Sequence, residues 1–522
     1  MELLDQTFWV QLHPSFFNRQ MQYELGVISS LFVLCVIYFS ISSRGASKLP
    51  LVNPKKWFEL SKSRIKEEFI AQAPYILEKG FVLSGDKPFR INADIGEVTV
   101  LPPEYANEIR NDERLSFARY MYRNFHAHLP GFEAFIEGGR DSRLVKFVSQ
   151  QQLTVILNQI TKPLSDETGL TLKDVLGDND SWHNIALKEE MLHVVARLSS
   201  RVMLGEELCR DERWLHVTVR YTEVAFQAAQ YLRIFPYFIR PVLHWFLPQC
   251  RQARSLVRSA REIIHPALEQ RRIMKMLQGP GKEIKFNDGF EWFEQAAKGK
   301  PYDPAISQLM MSFSAIHTSA DLAVQVLLDI AGNPDIIGPM REEIIRVVSE
   351  HGWRKTSLYN LKLMDSVLKE SQRLKPVLSA AMRRVATSDV ELSDGTVIKK
   401  NAMVAVSARR HWDPQVYPDP DKWDGFRFLH MRRTEGQEHV AQLVSTSPSH
   451  LGFGHGLHAC PGRFFAANEL KVLLCHLLLK YDISMVDGYV PKPAVSGFHV
   501  NADPGAQLCI RRRQEEIDLS DV

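Results

Sequence analysis

A chain of 522 residues is more than three times the roughly 150 that one domain commonly takes, so length alone admits several domains or one large fold. Hydrophobic residues at 45% and charged residues at 24% exclude a disordered chain, and 28 Gly with 27 Pro exclude collagen-like and low-complexity sequences. The 64 Lys and Arg against 61 Asp and Glu leave a net charge of +3, too little to draw the whole chain onto nucleic acid. Six cysteines, no two at Cys-x-x-Cys spacing, make no disulfide scaffold, so at least one needs another explanation.

Near the amino terminus, Leu25 to Ser43 runs nineteen residues without a charge, about the minimum for a helix crossing a ~30 Å hydrocarbon layer. Arg44, Lys48, Lys55 and Lys56, with Pro50 and Pro54, follow it, whereas Glu2, Asp5, Arg19 and Glu24 precede it. The excess of bases on the carboxyl-terminal side places the bulk of the chain in the cytosol. The expected division is a lumenal segment 1–24, a single-pass anchor 25–43, a basic Pro-containing hinge 44–56 and one large domain 57–522.

Trp57 to Lys79 has helical spacing of apolar residues. Phe89–Ile91 and Val98–Leu101 flank a turn at Gly96 and read as a hairpin. Helical patterns then dominate, with strand-like pieces returning at Val390–Ile398 and Leu508–Ile510. The fold class is mainly α with small, scattered sheets. Tyr231–Pro248 is crowded with aromatic residues. Asp303 and Pro304 supply the N-cap and first position of the longest helix, which runs to Gly332 and is apolar nearly all round. In its middle lie His317, Thr318 and Ser319, three consecutive polar residues that a buried helix must satisfy or use.

Cys460 ends a run, LGFGHGLHAC, whose glycines Gly452, Gly454 and Gly456 let backbone approach something flat or bulky. It stands at the start of a helix, where unpaired N–H groups, the dipole and Arg463 favour thiolate. Three readings compete: a buried thiol, a zinc site with His455 and His458, and a thiolate ligand to haem iron. Phe453 to pack on a ring and His458 to donate to a propionate suit the third.

Phe453-Gly454-His455-Gly456-Leu457-His458-Ala459-Cys460-Pro461-Gly462 resembles the haem loop of the cytochrome P450 family. Glu370-Ser371-Gln372-Arg373 looks like the family's E-x-x-R helix, and Tyr417 to Phe428 is similar to the segment supplying a second arginine, Arg427. Ser314-Ala315-Ile316-His317-Thr318-Ser319 resembles the oxygen-binding stretch; Thr318 matches, whereas His317 replaces the usual acid and Ala315 the glycine. The A-I-H-T variant looks like fungal members that oxidise terpenoids.

The resemblance implies the P450 fold, haem b with Cys460 as its metal ligand, and a buried triad of Glu370, Arg373 and Arg427. It implies catalytic roles for Thr318, His317 and Ser319, and haem contacts from Phe453, His458 and either Arg383 or Arg384. A lipophilic substrate, a terpenoid of fungal secondary metabolism, would pass under a lid at Tyr231–Pro248, with a pocket turn at Gly497-Phe498-His499. With no dinucleotide-binding glycine motif in the chain, electrons from NADPH would come through a separate cytochrome P450 reductase in the endoplasmic reticulum membrane, docking on a basic surface that includes Arg463 and Lys471. A haem-thiolate isomerase or dehydratase needing no reductase, and a non-catalytic haem protein, are the alternatives.

Overall fold

A computed structural model describes residues 48–59, 61–137, 144–277 and 286–521. The segments assigned to the lumenal terminus (1–24) and the membrane anchor (25–43), and the first part of the hinge, lie outside the described residues. Among the described residues no helix is long and apolar enough to cross a membrane.

The principal helices in chain order are α1 (Ser63–Ser84), α2 (Phe117–Asn124), α3 (Leu157–Leu176), α4 (Leu187–Leu204), α5 (Glu212–Ile234), α6 (Pro248–Leu277), α7 (Pro304–Gly332), α8 (Ile337–His351), α9 (Lys362–Leu374) and α10 (Arg463–Lys480). The strands are β1 (Phe89–Ala93), β2 (Gly96–Leu101), β3 (Leu115–Ser116), β4 (His183–Ala186), β5 (Ala380–Ala386), β6 (Val390–Glu391), β7 (Val397–Ile398), β8 (Met403–Ser407), β9 (Tyr481–Ser484), β10 (Ala494–Ser496), β11 (His499–Asn501) and β12 (Gln507–Arg512). They form a sheet of order β1-β2-β8-β5-β3, a sheet β4-β12-β9 and two separate hairpins, β6-β7 and β10-β11. The expected hairpin at 89–101 is β1-β2, paired from Phe89 with Val100 to Ala93 with Gly96.

The first helix differs from its periodicity. Trp57 and Phe58 belong to the apolar pattern, yet they stand 96% and 61% exposed and the helix begins only at Ser63. Pro74 lies inside α1, and Gln72 just before it leaves helical dihedrals, because a proline removes a backbone donor and crowds the preceding turn.

α7 is the axis of the molecule and packs against α4, α5, α6 and α9. Its cap is the expected one: Asp303 accepts from the N–H groups of Ala305 (3.0 Å) and Ile306 (3.3 Å), with Pro304 following. Residues Ala305–Ser312 and Ser319–Val324 are buried, consistent with an all-round apolar helix at the centre. α10 is likewise buried along most of its length, including the polar Glu469, Lys471 and His476.

That burial corrects one expectation. Lys471 is 5% exposed, pairs with Asp365 at 2.6 Å and donates to the Leu358 carbonyl at 2.9 Å. It neutralises an interior carboxylate, whose pKa it helps hold below the ordinary value against the cost of burial, and offers nothing to a partner's surface.

Removing the α7 cap is expected to be costly but not fatal. Asp303→Ala should lower stability by about 1 kcal/mol or somewhat more, since Asp303 also pairs with Arg261 at 2.9 Å. Asp303→Asn, which keeps the cap, should lose less in the same thermal melts.

Candidate functional site

Cys460 sits at the head of α10, partly open, with its backbone N–H donating to the Phe453 carbonyl at 2.8 Å. Burial pushes its thiol pKa up, and the N–H groups of Gly462 and Arg463 together with the Arg463 guanidinium pull against that shift. The net direction is opposite to the expectation from the helix start: loss of solvent around sulfur outweighs the dipole and the nearby charge. The surrounding donors nonetheless point the right way for a thiolate, the form a metal ion would draw out. Arg463 donates to the carbonyls of Cys460 (2.9 Å) and Val444 (3.1 Å), so it braces the loop rather than presenting its charge to solvent.

Two glycines of the loop stand against neighbouring chain segments. A Cβ on Gly456, which has φ +76°, would lie 2.4 Å from Arg110 Cβ, and one on Gly452 2.3 Å from Gln372 Oε1. Close approach to neighbouring chain segments is required at both positions.

His455 has both nitrogens engaged: Nδ1 with Thr446 Oγ1 at 3.0 Å, and Nε2 with Asn107 Oδ1 at 3.0 Å. Among the described residues no group of three or more His, Cys, Asp or Glu is placed to hold a metal ion. The zinc reading therefore lacks a ligand set there. His458 lies with its ring centroid 6.2 Å from that of Phe117, and Phe453 is partly buried against the main core.

Behind the loop, Glu370 and Arg373 are fully buried and Arg427 is 7% exposed. Arg373 donates to both Glu370 oxygens at 2.8 Å, and Arg427 Nε to Oε1 at 3.0 Å. The remaining guanidinium donors find the carbonyls of His411, Pro418, Asp419, Pro420 and Lys422. His411 was not singled out from the sequence. Its Nε2 accepts from the Leu451 N–H at 2.8 Å, so its Nδ1 donates to the Arg373 carbonyl at 3.0 Å. Burial lowers its pKa to about 4, keeping it neutral as both bonds require.

On α7, Ser314 and Thr318 are exposed although residues on either side along the helix are buried. One turn of an interior helix thus faces open space inside the protein. Thr318 Oγ1 donates to the Ser314 carbonyl at 3.1 Å, a local bond a hydroxyl can exchange by rotation. His317 turns elsewhere: its Nε2 donates to the Val219 carbonyl of α5 at 3.1 Å, and burial lowers its pKa, leaving a neutral ring tied to a neighbouring helix. Ser319 is buried and lies close enough to Glu469 to lower that residue's pKa. Glu469 itself is fully buried on α10, accepts from Ser199 Oγ at 2.6 Å, and is pushed up to about 8 by burial. Sequence reasoning missed it, because an acid in an apolar helix gives no sign of the residues it will meet.

Arg383 and Arg384, considered together above, are separated by the structure. A bulge in β5 between Ala381 and Arg384, where Met382 takes φ +50°, sends them to different environments. Arg384 is 4% exposed, has no salt bridge among the described residues, and is lowered to about 10 by burial. Its guanidinium lies 5.7 Å from the Phe117 ring, beside His458. Arg383 instead lines a cavity with Tyr120, Phe498 and His499.

Residues 95–510 match the cytochrome P450 family model. The chain belongs to the cytochrome P450 family. It is 52% identical to cytochrome P450 monooxygenase 1 of Gibberella fujikuroi over 440 residues, covering 84% of this chain and 100% of that one. It is 49% identical to cytochrome P450 monooxygenase hepE of Aspergillus oryzae over 508 residues, covering 96% and 91%. The haem domain of cytochrome P450DA shares the fold, with a TM-score of 0.65 at 15% identity over 89% of this chain and 97% of that one. As a P450 monooxygenase, the protein uses haem held by a cysteine thiolate, and electrons from NADPH delivered by a reductase partner.

The residues present fit that group. Arg384 is a buried cation without a counter-ion among the described residues, as a haem carboxylate would require, and Ser314 and Thr318 border an internal space on an otherwise buried helix.

Two measurements follow from this geometry. Glu370→Ala strands two buried guanidiniums and should cost about 3–5 kcal/mol, seen as loss of haem incorporation and of soluble protein, whereas the surface change Glu350→Ala should do neither. Glu469 has a folded-state pKa of about 8 against 4.5 for an ordinary glutamate, so it holds its proton in the fold and releases it on unfolding. Stability is therefore lost as pH rises between these values, by up to about 1.4 kcal/mol per unit. Glu469→Gln should melt progressively higher than the parent as pH goes from 5 to 8; a constant difference would refute the protonated carboxyl.

Proposed function

We propose that this P450 is a membrane-bound monooxygenase of fungal secondary metabolism that oxidises a lipophilic terpenoid, with Cys460 as the haem ligand and Thr318 as the hydroxyl beside the reacting centre. One arrangement carries the reading: a partly open Cys460 heads α10, exposed Ser314 and Thr318 interrupt the buried α7, and Glu469 of α10 reaches the Ser319 region of α7.

Bound haem supplies activation of O2, one atom of which enters the substrate while the other leaves as water. The chain's own groups divide the remaining work. Arg384 and His458, both beside Phe117, hold the propionate side. Thr318 keeps a rotatable O–H at the internal space and orients water there. His317 spans α7 and α5 through its bond to Val219, a use that competes with proton relay. Glu370, Arg373 and Arg427 hold the loop from behind without touching the reacting atoms.

Membrane association rests on the uncharged segment 25–43 and on exposed aromatic residues. Tyr237, Phe238, Trp245 and Phe246, in the lid segment after α5, are 56%, 79%, 52% and 69% exposed. Lys66 Nζ donates to the Arg233 carbonyl at 3.1 Å, tying the start of α1, with Trp57 and Phe58 just before it, to the end of α5. An apolar rim over the pocket favours a substrate that arrives from a bilayer, and the endoplasmic reticulum membrane suits a reductase-dependent enzyme.

Reduced, carbon-monoxide-treated microsomes containing the enzyme should show the Soret shift of thiolate haem, and Cys460→Ala should abolish it; a shift that survives would unseat Cys460. Turnover should require NADPH and the reductase. Thr318→Ala should raise peroxide release per NADPH severalfold, while His317→Ala should leave that ratio near the parent's. The reverse outcome would make His317 the relay.

A further inference from the structure

We propose that Arg383 is the anchor for a carboxylate on the substrate, so that this monooxygenase acts on a lipophilic acid rather than on a neutral hydrocarbon or alcohol. The inference rests on the proposed function above and names the substrate class for the same pocket.

A cavity of about 360 Å³ opens between α5, α7, the hairpin β10-β11 and the end of β5. One part of its wall is apolar, with Ile95, Leu192, Phe226 and Phe498, and it runs along α7 at His317 and Ala320, next to Thr318. Three acids also line it, and each is already paired: Asp94 with Arg233 at 3.0 Å, Glu223 with Arg220 at 2.5 Å, and Asp321 with Lys375. Of the lining cations Arg233 is thereby used, and Lys188 lies near Asp503. Arg383 has no salt bridge among the described residues; its guanidinium rests 5.2 Å from the Tyr120 ring centroid.

The groups around Arg383 are donors without acceptors. Neither the Tyr120 hydroxyl nor the His499 ring has a hydrogen-bond partner among the described residues, and both border the same cavity. His499 is kept neutral by burial and by the field of Arg383 and Arg233, so one of its nitrogens carries a proton available to an oxygen ligand. A guanidinium, a phenol and an imidazole that border one cavity with an apolar stretch of wall match a carboxylate with a hydrocarbon body. A neutral substrate would leave the guanidinium without a counter-ion there.

A direct test uses the haem-loaded full-length protein and two probes of equal length, dodecanoic acid and methyl dodecanoate, with binding read by the optical difference spectrum and, independently of haem, by equilibrium dialysis. The parent should bind the acid about tenfold more tightly than the ester. Arg383→Gln should bring the two within about twofold while keeping full haem content, and Arg383→Lys should retain part of the preference. Equal affinities in the parent, no binding of either probe, or a preference that survives Arg383→Gln would overturn the assignment. So would loss of haem in Arg383→Gln with haem retained in Arg384→Gln, which would make Arg383 the propionate partner. A parent without the thiolate Soret band would defeat the monooxygenase reading itself, whereas a normal band without acid preference would defeat only the anchor.

Discussion

A single buried carboxylate, Glu370, organises the part of the molecule on which the chemistry depends. It neutralises Arg373 and Arg427 at once, and those guanidiniums spend their other donors on carbonyls of the 411–422 segment. From Arg373 the connection continues through one buried ring: its carbonyl accepts from His411 Nδ1, whose other nitrogen accepts from the Leu451 N–H, and Phe453 two residues later accepts from the N–H of Cys460. The backbone that carries the sulfur is therefore held by a network of largely buried groups. Such a network contributes little net stability compared with apolar packing, but it permits one arrangement only, because every alternative leaves a charge unmatched.

The same economy of interior charge governs α7 and α10. The acid that usually precedes the threonine of the oxygen-binding stretch is a histidine here, and that histidine is bonded to α5. A carboxyl is nevertheless brought to this region by α10, as Glu469 beside Ser319, and the apolar surroundings keep it protonated near neutral pH. Lys471, two residues further along α10, is buried for the opposite purpose, to satisfy Asp365. Glu469, Lys471 and Asp321 on these two helices thus find their partners on other elements.

Much of the site was legible before any coordinates. Cys460, the ordered motifs at Glu370, Arg373 and Arg427, and the capped helix from Asp303 are local patterns whose meaning lies in spacing along the chain. What stayed illegible depended on the neighbour each side chain would meet. Arg383 and Arg384 look interchangeable in sequence until a bulge at Met382 parts them. Lys471 reads as surface charge until α10 proves to be an interior helix, and His411 carries no sign at all of its two bonds. The apolar residues at Trp57 and Phe58 promised a helix face, but they stand largely exposed and pack on each other.

Sequence by itself determined the family, the thiolate chemistry, the helical class and the uncharged segment that precedes the domain. These follow from residue types at short, fixed separations, where backbone geometry leaves few outcomes. Tertiary structure alone decided which charges are paired, which arginine faces the cavity, where His317 points and that Glu469 keeps its proton. Ionisation and side-chain partnership depend on the dielectric and donors supplied by distant segments, and no local pattern encodes those.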